Sequence, residues 1–444
     1  MASGSMQPVV AANKSILTPV MTLEGHERFT YDWNGERGLC REIGTISYFP
    51  DGKQMISGAL DKTIRQWDLQ EGKEIEEVRD VCEQSVDIVE VSRDGRWVVT
   101  VDGGNYTEGG KLKVCEVETG IVRIFQAHSK SWWIHFIDIS PDSTLVADGS
   151  DHYTLDDIRS SATRIWSLDT GKLVAGPFKN DYGLGSVRFS RDSKKLAVMS
   201  NAATRLDVWD VQTQKLVVSV GNSGVLGTCP PVFWTTQDKT IVAAFSFNAD
   251  ILHEPNTINE FDASTLEIVG APFKGHTYPV SGLALSFDCA LLASTAQDNT
   301  IKLWAFQSRQ LLASFVIQCP ERFIYSPNSH QLAYTSWGDT KIYIYDIPLD
   351  ILARIRPTAQ EKPSTSASKI PDLLDFDATR RAVRRNPAIP RVISRPPRPP
   401  PARDLQQHGF FRYFRNLLPS RTNVDQPRDF LDVYLLYLFP LQLI

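Results

Sequence analysis

Short runs of alternating apolar and polar residues recur along the first 350 residues of the chain. TISYF at 45–49 and SVRFS at 186–190 alternate in this way, and a few residues later comes a run of small residues, such as MISG at 55–58. An alternation of period two is typical of a β-strand with one buried face. Because Asp, Gly, Asn and Ser separate the runs, the pattern predicts many short strands joined by tight turns.

Two kinds of turn recur in a fixed order and divide the chain into similar units. The first kind joins the alternating strand to the small-residue strand, and it reads FPDGK at 49, SRDGR at 92, SPDST at 140, SRDSK at 190, TTQDK at 235, SFDCA at 286 and SPNSH at 326. The second kind follows an aromatic strand and leads to an outer one, and it reads LQEGK, VETGI, LDTGK, VQTQK and FQSRQ. Together the two turns predict four strands in each unit.

A strand with an aromatic residue near its end marks each unit. The strands are TIRQWD at 63, LKVCEV at 112, TRIWSL at 163, RLDVWD at 205, TINEFD at 257, TIKLWA at 300 and KIYIYD at 341. Their aromatic places hold Trp67, Cys115, Trp166, Trp209, Phe261, Trp304 and Tyr345. The intervals of 48, 51, 43, 52, 43 and 41 residues match the roughly 40 to 45 residues of a β-propeller blade, with insertions in the longer units.

Such units have to stack around an axis, because a four-stranded antiparallel sheet cannot bury both of its faces alone. The last unit ends at Asp346 without an outer strand of its own, whereas PVMTLEGH at 19–26 supplies an extra strand at the N-terminus. We therefore expect an all-β, seven-bladed β-propeller in which the N-terminal strand completes the last blade. This closure would leave no free sheet edge there.

Two distant stretches repeat the same residues at the same spacing. ISGALDKTIRQWDL at 56–69 and ASTAQDNTIKLWAF at 293–306 both place an Asp four residues after a Ser and a Trp six residues after that Asp. With a preceding Gly-His dipeptide, the pattern resembles the WD-repeat family, over about residues 19–350. The resemblance implies two complete hydrogen-bonded sets, which are His26, Ser57, Asp61 and Trp67, and His276, Ser294, Asp298 and Trp304. The degenerate middle repeats are similar to those of expanded fungal WD-repeat proteins, some of them linked to self/non-self recognition.

The other units depart from this pattern. Ala203 stands in the Asp place of the fourth unit and Cys115 in the Trp place of the second. The last unit has a partial set, Thr335 and Asp339 with Tyr345. In a complete set the Asp fixes the turn and accepts from the imidazole, the hydroxyl orients the imidazole, and the indole N–H needs an acceptor when buried. We interpret the sets as links that hold blades together, with catalysis by the His as the alternative.

All long insertions fall in two of the four connections of a unit, while the two recurrent turns are uniformly short. The insertions are 27–42, 102–110, 149–161, 222–229 and 246–256. In the family fold these connections open on one face of the ring, here called the upper face, and the short turns lie on the opposite, lower face. Because long loops on a rigid scaffold often carry function, we predict that partners bind the upper face.

Aromatic, Arg and Asp residues in these insertions and beside them are the predicted partner contacts. They are Phe29, Tyr31, Trp33, Arg37, Trp132, Trp133, Tyr153, Asp156, Asp157 and Arg159, with Arg28 and Arg41 in the same polar rim. The alternative is that some of the aromatic residues cap the core beneath their own loop. A protein or peptide fits such a surface better than a small metabolite does.

Composition separates a globular body from a basic tail. The 444 residues are 42% hydrophobic and 22% charged, as in soluble globular proteins. The net charge of −5 combines about −11 in residues 1–356, roughly +7 in residues 357–429 and the single Asp432. We therefore divide the chain into a flexible N-terminus (1–18), the propeller (19–350) and a Pro- and Arg-rich, mostly disordered tail (351–444).

Three features of the sequence bear on location. The six Cys are scattered and no secretory signal is present, which favours a reduced, intracellular protein, cytoplasmic or also nuclear. Arg380, Arg381, Arg384 and Arg385 fit a nuclear address, a phosphate-binding patch or a solvated basic linker. The apolar run at 430–444 is too short to span a bilayer unaided, so no transmembrane segment is predicted.

The motifs of common enzyme classes are missing from the sequence. Gly-Lys at 52, 72, 110 and 171 is never followed by Ser or Thr, and there is no GxSxG elbow, HExxH helix or clustered set of His and Cys. We therefore expect no cofactor and no metal. The sequence favours a non-enzymatic scaffold that binds partner proteins or peptides on the upper face. The alternatives are a nuclear or chromatin-associated factor whose basic tail contacts nucleic acid, and a hydrolase with a metal in its channel.

Overall fold

Seven antiparallel blades make up the part of the chain that the structure describes. This computed structural model describes residues 14–15, 18–28, 31–33, 36–38, 42–75, 80–103, 110–125, 132–154, 157–180, 182–222, 231–247, 256–318 and 320–355. All of these residues belong to one compact unit. The predictions for most of residues 1–18 and for the tail after residue 355 lie outside the described part.

Each blade takes consecutive strands from the chain. Four short strands come first, namely β1 (Lys14–Ser15), β2 (Met21–Glu24), β3 (Tyr31–Trp33) and β4 (Glu36–Gly38). Blade 1 contains β5 (Ile43–Tyr48), β6 (Gln54–Ala59), β7 (Thr63–Asp68), β8 (Lys73–Glu74) and β9 (Asp80–Val81). Blade 2 contains β10 (Val86–Val91), β11 (Trp97–Asp102), β12 (Lys111–Glu116) and β13 (Val122–Phe125). Blade 3 contains β14 (Trp132–Ile139), β15 (Leu145–Thr154), β16 (Asp157–Ser167) and β17 (Leu173–Asn180). Blades 4 and 5 contain β18 (Leu184–Phe189), β19 (Lys195–Ser200), β20 (Arg205–Asp210) and β21 (Leu216–Gly221); and β22 (Phe233–Trp234), β23 (Thr240–Ala244), β24 (Thr257–Asp262) and β25 (Phe273–Lys274). Blades 6 and 7 contain β26 (Val280–Leu285), β27 (Leu291–Ala296), β28 (Thr300–Ala305) and β29 (Gln310–Val316); and β30 (Pro320–Tyr325), β31 (Gln331–Ser336) and β32 (Lys341–Asp346), followed by helix α1 (Leu349–Ile355).

The N-terminal strand completes the last blade. Strand β2 pairs antiparallel with β32, so that blade 7 has the order β2-β32-β31-β30. The inner strand β30 of blade 7 packs beside β5, the inner strand of blade 1. The predicted seven-bladed, all-β propeller closed by an N-terminal strand is therefore confirmed. Strand β1 adds a parallel fifth strand to the outer edge of blade 6, where it pairs with β29.

The hydrophobic core lies between the blades. Among the described residues, seven clusters of buried apolar side chains each join two neighbouring blades. The cluster between blades 7 and 1 contains Leu23 of β2, Ile342 of β32 and Trp67 of β7. Leu23 is only 1% exposed. The N-terminal strand therefore closes the ring by burying apolar surface as well as by pairing its backbone.

The turns between the first and second strands share one backbone conformation in all seven blades. Their fourth residues, which have positive φ, are Gly52, Gly95, Ser143, Ser193, Asp238, Cys289 and Ser329. In several of these turns the leading Ser hydroxyl donates to the turn carboxylate, as Ser92 Oγ does to Asp94 Oδ1 at 2.6 Å. Such local bonds stabilise a left-handed residue even when it is not Gly. The lower face is therefore regular from blade to blade.

The insertion at 149–161, which the sequence analysis treats as a long loop, forms a hairpin. Strands β15 and β16 continue through it until Thr154 pairs with Asp157. Strand β14 already begins at Trp132, so that Trp133 lies within it and pairs with Asp151. Three neighbouring strands that lengthen together satisfy one another's backbone groups, which allows a polar insertion to extend the sheet.

Regular structure continues past residue 350, where the sequence analysis ends the propeller. Helix α1 runs to Ile355, and Ile351 is buried in the cluster that joins blades 6 and 7. Arg354 Nη1 donates to the carbonyl oxygen of Leu312 at 3.4 Å. A helix of two turns is too short to show a clear helical period, so the strand pattern simply stops before it.

Candidate functional site

The first predicted polar set forms one chain of hydrogen bonds in blade 1. His26 follows β2, Ser57 lies on β6, Asp61 in the next turn and Trp67 on β7. The His26 ring lies 2.9 Å from Asp61 (Nδ1 to Oδ2) and 2.7 Å from Ser57 (Nε2 to Oγ). Trp67 Nε1 donates to the same Ser57 oxygen at 2.8 Å. The bonds tie the segment after β2 to two strands of blade 1.

The proton positions follow from these contacts. An ionised Asp61 accepts from Nδ1–H of His26, so Nε2 is left to accept from the Ser57 hydroxyl. Burial lowers the pKa of His26 below its ordinary value, against the opposing effect of Asp61. Burial would raise the pKa of Asp61, but the hydrogen bonds that its carboxylate accepts from His26, Thr63 and the Glu27 backbone N–H outweigh this effect and bring the pKa to about 2. A neutral imidazole held by a carboxylate acts here as a structural link.

The second predicted set repeats this geometry in blade 6. His276 Nδ1 lies 3.0 Å from Asp298 Oδ2, and Nε2 of the same ring lies 2.7 Å from Ser294 Oγ. Trp304 Nε1 donates to Ser294 Oγ at 2.9 Å. The Gly before the His has a steric reason, because a Cβ on Gly275 would lie 3.0 Å from the Trp304 ring. The structure thus brings all eight predicted residues into two matching sets.

The strand position that Ser57 and Ser294 occupy in blades 1 and 6 holds other residues in the remaining five blades. This place lies two residues after the strand partner of the aromatic residue, and its occupants are Ser57, Thr100, Asp148, Val198, Ala243, Ser294 and Tyr334. In blade 3, Trp166 Nε1 donates to Asp148 Oδ2 at 2.6 Å. In blade 7, the Tyr334 and Tyr345 hydroxyls lie 3.2 Å apart. The partial set predicted with Thr335 is therefore one residue out of register, and the sequence analysis missed Asp148 and Tyr334.

The predicted partner contacts that the structure describes lie on two segments of the backbone. One group lies on the hairpin β3–β4 before blade 1 and comprises Tyr31, Trp33 and Arg37. The other lies at the upper ends of β14, β15 and β16 in blade 3 and comprises Trp132, Trp133, Tyr153, Asp157 and Arg159. Phe29 and Asp156 lie outside the described residues, as does Arg41. The remaining rim residue, Arg28, donates from Nη2 to the Gly338 carbonyl oxygen of blade 7 at 3.2 Å.

A buried polar network supports the hairpin of blade 3 from below. Asp151 is 3% exposed, and its Oδ1 accepts from the Leu184 backbone N–H of blade 4 at 3.4 Å. Its Oδ2 lies 3.7 Å from His135 Nε2. Burial raises the pKa of Asp151, while the nearby His135 lowers it. The network joins the base of the hairpin to the next blade, so the predicted contacts of blade 3 stand on a fixed base.

A charged cluster that the sequence analysis did not find lies at the lower end of the central channel. Glu90, Asp138 and Arg188 come from the inner strands β10, β14 and β18 of blades 2, 3 and 4. Arg188 Nη1 donates to Asp138 Oδ1 at 2.6 Å, and the Phe189 backbone N–H donates to Asp138 Oδ2 at 2.6 Å. Glu90 accepts in the same way from the backbone N–H of Ile139. Each carboxyl group thus satisfies an N–H on the inner strand of the next blade, beside a polar cavity of about 80 Å³.

This cluster makes stability depend on pH through Glu90. Burial and then the charge of Asp138 raise the pKa of Glu90 from 4.5 to about 8. The folded protein therefore binds the proton more tightly than the unfolded chain does, and stability falls as pH rises between these two values.

We expect the Glu90→Gln variant to lack this fall, because the amide keeps an acceptor and never ionises. From pH 5 to pH 8, the free energy of unfolding of the variant should therefore rise relative to that of wild type by about 1 kcal/mol. This value is kept small because solvent reaches the half-buried Glu90 and screens its charge. Denaturant unfolding at the two pH values measures the gain. Glu118→Gln, in an exposed turn, is the control. An equal pH response in Glu90→Gln and wild type would contradict the assignment.

Two absences hold for the described part of the chain. No group of three or more His, Cys, Asp or Glu side chains is arranged there to hold a metal ion. No helix within the same residues is long and apolar enough to cross a membrane.

Comparison with known proteins agrees with the seven blades and the two complete sets. The family model for the WD domain, G-beta repeat, matches residues 17–68 and 268–305, the two segments that contain those sets. The chain is a WD-repeat protein. WD-repeat propellers generally act as scaffolds for protein interaction and are typically not enzymes.

Three relatives show how far the similarity of this WD-repeat protein extends. It is 23% identical over 260 residues to WD repeat-containing protein 26 homolog of Arabidopsis thaliana, covering 56% of this chain and 41% of that protein. It is 24% identical over 166 residues to eukaryotic translation initiation factor 3 subunit I of Bombyx mori, covering 36% of this chain and 48% of that protein. It is 22% identical over 301 residues to WD repeat-containing protein 55 of Arabidopsis thaliana, covering 64% of this chain and 75% of that protein. The match thus spans less than half the length of the first two relatives.

Proposed function

We propose that this WD-repeat protein is a non-enzymatic scaffold that binds partner proteins or peptides on the upper face of its propeller. One observation carries the proposal, namely the difference between the two faces. Seven turns of one conformation form the lower face. The upper face carries the hairpin β3–β4 and the lengthened strands of blade 3. A rigid ring with variable additions on one face is suited to selecting a partner.

The positions of the aromatic residues support a protein or peptide as the ligand. Trp33 lies on the β3–β4 hairpin and Trp133 on the lengthened β14, so both have a regular backbone around them. Aromatic and Arg anchors with little freedom to lose are the residues that dominate protein interfaces. By its name, eukaryotic translation initiation factor 3 subunit I is a subunit of a larger factor. This relative favours an assembly role for the present chain as well.

Truncation of the two Trp side chains tests the upper face. We expect the Trp33→Ala and Trp133→Ala variants each to recover partners from cell extract at least fivefold less efficiently than the wild-type chain, because a buried aromatic anchor contributes about 2 kcal/mol or more. Affinity capture followed by quantitative mass spectrometry measures the yield. Thermal unfolding of each variant shows whether the propeller remains folded.

The control is Ile121→Ala in the short lower turn before the outer strand β13, a residue that is 50% exposed and lies at the lower end of that strand. It removes apolar surface from the rim and should leave partner recovery within twofold of wild type. If both Trp variants recover the same partners at wild-type yield, the choice of the upper face is wrong.

The basic tail favours a second candidate function. Residues 357–429 carry roughly +7 net charge, which suits contact with nucleic acid or chromatin in the nucleus. The scaffold role, in contrast, is compatible with either a cytoplasmic or a nuclear location. Deletion of residues 357–444 separates the two candidates. Loss of nuclear retention and of nucleic-acid affinity on deletion would favour the second, and unchanged partner recovery with no such loss would favour the scaffold alone.

A further inference from the structure

Three side chains from alternate blades meet across the lower end of the central channel, here called the lower mouth. Arg93, Arg191 and Phe287 are the second residues of the first-to-second strand turns in blades 2, 4 and 6. The Phe287 ring centre lies 5.7 Å from the Arg93 guanidinium carbon and 5.0 Å from that of Arg191. Arg191 Nη2 also donates to the Phe287 carbonyl oxygen at 2.8 Å. Because these blades are not neighbours, the contact spans the axis of the ring.

Among the described residues the two guanidinium groups form no direct ion pair, although the charges of Asp138 and Glu90 act on Arg93 from farther away. Within the described part of the chain, no carboxylate oxygen lies within 4 Å of the guanidinium nitrogens of Arg93 or Arg191, and Asp238 accepts instead from the backbone N–H of Arg191 at 2.7 Å. Burial, followed by the positive charge of Arg191, lowers the pKa of Arg93. Two like charges are therefore held close together, and an anion placed between them would relieve their repulsion.

The acidic residues of the same turns accept hydrogen bonds from within their own turns. Asp94, Asp192 and Asp288 each accept from the leading Ser hydroxyl of their own turn, at 2.6, 2.7 and 2.7 Å. Above the mouth lie the carboxyl groups of Glu90 and Asp138, and Asp138 is already bound by Arg188. Three guanidinium groups thus stand against two inner carboxyl groups, one of which favours its protonated form.

The mouth also offers apolar contact. Phe287 is 61% exposed, although two guanidinium carbons lie within 6 Å of its ring centre. Pro50, Pro141 and Pro327 occupy the same second place in the turns of blades 1, 3 and 7. The opening therefore presents an aromatic ring and Pro side chains around a pair of cationic groups.

We propose that the lower mouth binds an acidic peptide segment of a partner protein. One carboxylate of the segment would bridge Arg93 and Arg191, and a neighbouring apolar side chain would pack on Phe287. Arg is suited to this role because its planar guanidinium binds carboxylates through two parallel hydrogen bonds while stacking on an aromatic ring. The site lies on the face opposite the hairpin β3–β4, so it is independent of the upper-face proposal.

Fluorescence anisotropy with labelled peptides tests the site on the full chain. The probe is EFEEFE, and the comparison peptides are QFQQFQ, KFKKFK and EAEEAE. We expect QFQQFQ and KFKKFK to bind at least tenfold more weakly than EFEEFE, and EAEEAE to bind at least threefold more weakly. Affinity for EFEEFE should also fall as salt rises, because the interaction depends on charge.

Variants assign the binding to the mouth. The double variant Arg93→Ala/Arg191→Ala should weaken EFEEFE binding at least tenfold. Lys194→Ala removes an exposed cation from the same turn as Arg191 and should stay within twofold of wild type. Phe287→Ala should weaken EFEEFE more than EAEEAE. Since all three positions lie in surface turns, each variant is expected to unfold at the wild-type temperature.

Three results would overturn the proposal. The first is unchanged affinity in the double variant, and the second is equal binding of EFEEFE and KFKKFK. The third is a phosphoserine peptide of equal length that binds more than tenfold tighter than EFEEFE, since phosphate would then be the ligand in place of carboxylate. Because none of these measurements involves Trp33 or Trp133, their outcome leaves the upper-face test unaffected.

Discussion

Replacing Leu23 with Lys is expected to destabilise the propeller by more than about 4 kcal/mol, because an unpaired charge would enter the core. Leu23 is 1% exposed and shares a cluster with Trp67 of blade 1 and Ile342 of blade 7. The milder Leu23→Ala variant should lose about 2 to 5 kcal/mol, from lost burial and the cavity left behind. Denaturant unfolding of the purified variants measures both losses.

Val20 provides the matched control for this prediction. It lies just before the same strand and is 54% exposed, and its backbone N–H donates to the Ile344 carbonyl oxygen at 2.9 Å. The Val20→Lys variant keeps that bond and places its charge in water, so its stability should stay within about 0.5 kcal/mol of wild type. Equal losses in Leu23→Lys and Val20→Lys would mean that burial of the N-terminal strand does not close the ring.

Removing the Ser57 hydroxyl is expected to cost about 2 to 4 kcal/mol, because two buried polar groups lose their partner at once. Trp67 Nε1 would have no acceptor, and His26 Nε2 would lose the hydroxyl that donates to it. Ser57 is completely buried, so water has little access to replace the missing bonds. The free energy of unfolding of the Ser57→Ala variant measures the loss.

Thr100 occupies the same place in blade 2 and gives the opposite expectation. Its buried Oγ1 has no hydrogen-bond partner, and the residue at the aromatic place of this blade is Cys115, which has no indole. Replacing the hydroxyl by a methyl group of the same shape in Thr100→Val should therefore be neutral or stabilising, by up to about 1 kcal/mol. If Ser57→Ala and Thr100→Val destabilise equally, the hydrogen-bonded set is not what makes Ser57 important.

The repeating parts of the structure could be predicted because each depends on residues that are close together in the sequence. The spacing from Ser57 to Asp61 to Trp67 is set by two strands and the turn between them, and it recurs at Ser294, Asp298 and Trp304. Closure by β2 followed from counting strands in the last unit. In blade 7 the same reasoning placed the hydroxyl on Thr335, because a Tyr is not an expected substitute for Ser. A shift of one residue moves a side chain to the other face of a strand, so the choice mattered.

The charged groups of the channel could not be predicted in this way. Glu90, Asp138 and Arg188 meet because three blades turn about one axis, and the sequence does not show which inner side chains point at one another. Arg191 and Phe287 are 96 residues apart in the chain and still form a hydrogen bond. Side chains that contact across the axis have no fixed spacing, so only the folded ring reveals the lower mouth.

Hydrogen exchange at the N-terminal strand tests the closed ring most directly. The amides of β2 that pair with β32 should exchange slowly, at rates close to those of the amides in β31 and β32, because one blade holds them all. Exchange measured by mass spectrometry on peptides that cover residues 19–26 and 331–346 gives the comparison. Full exchange of residues 21–24 within seconds, while 331–346 remains protected, would show that the N-terminal segment does not complete the last blade and that the ring is open.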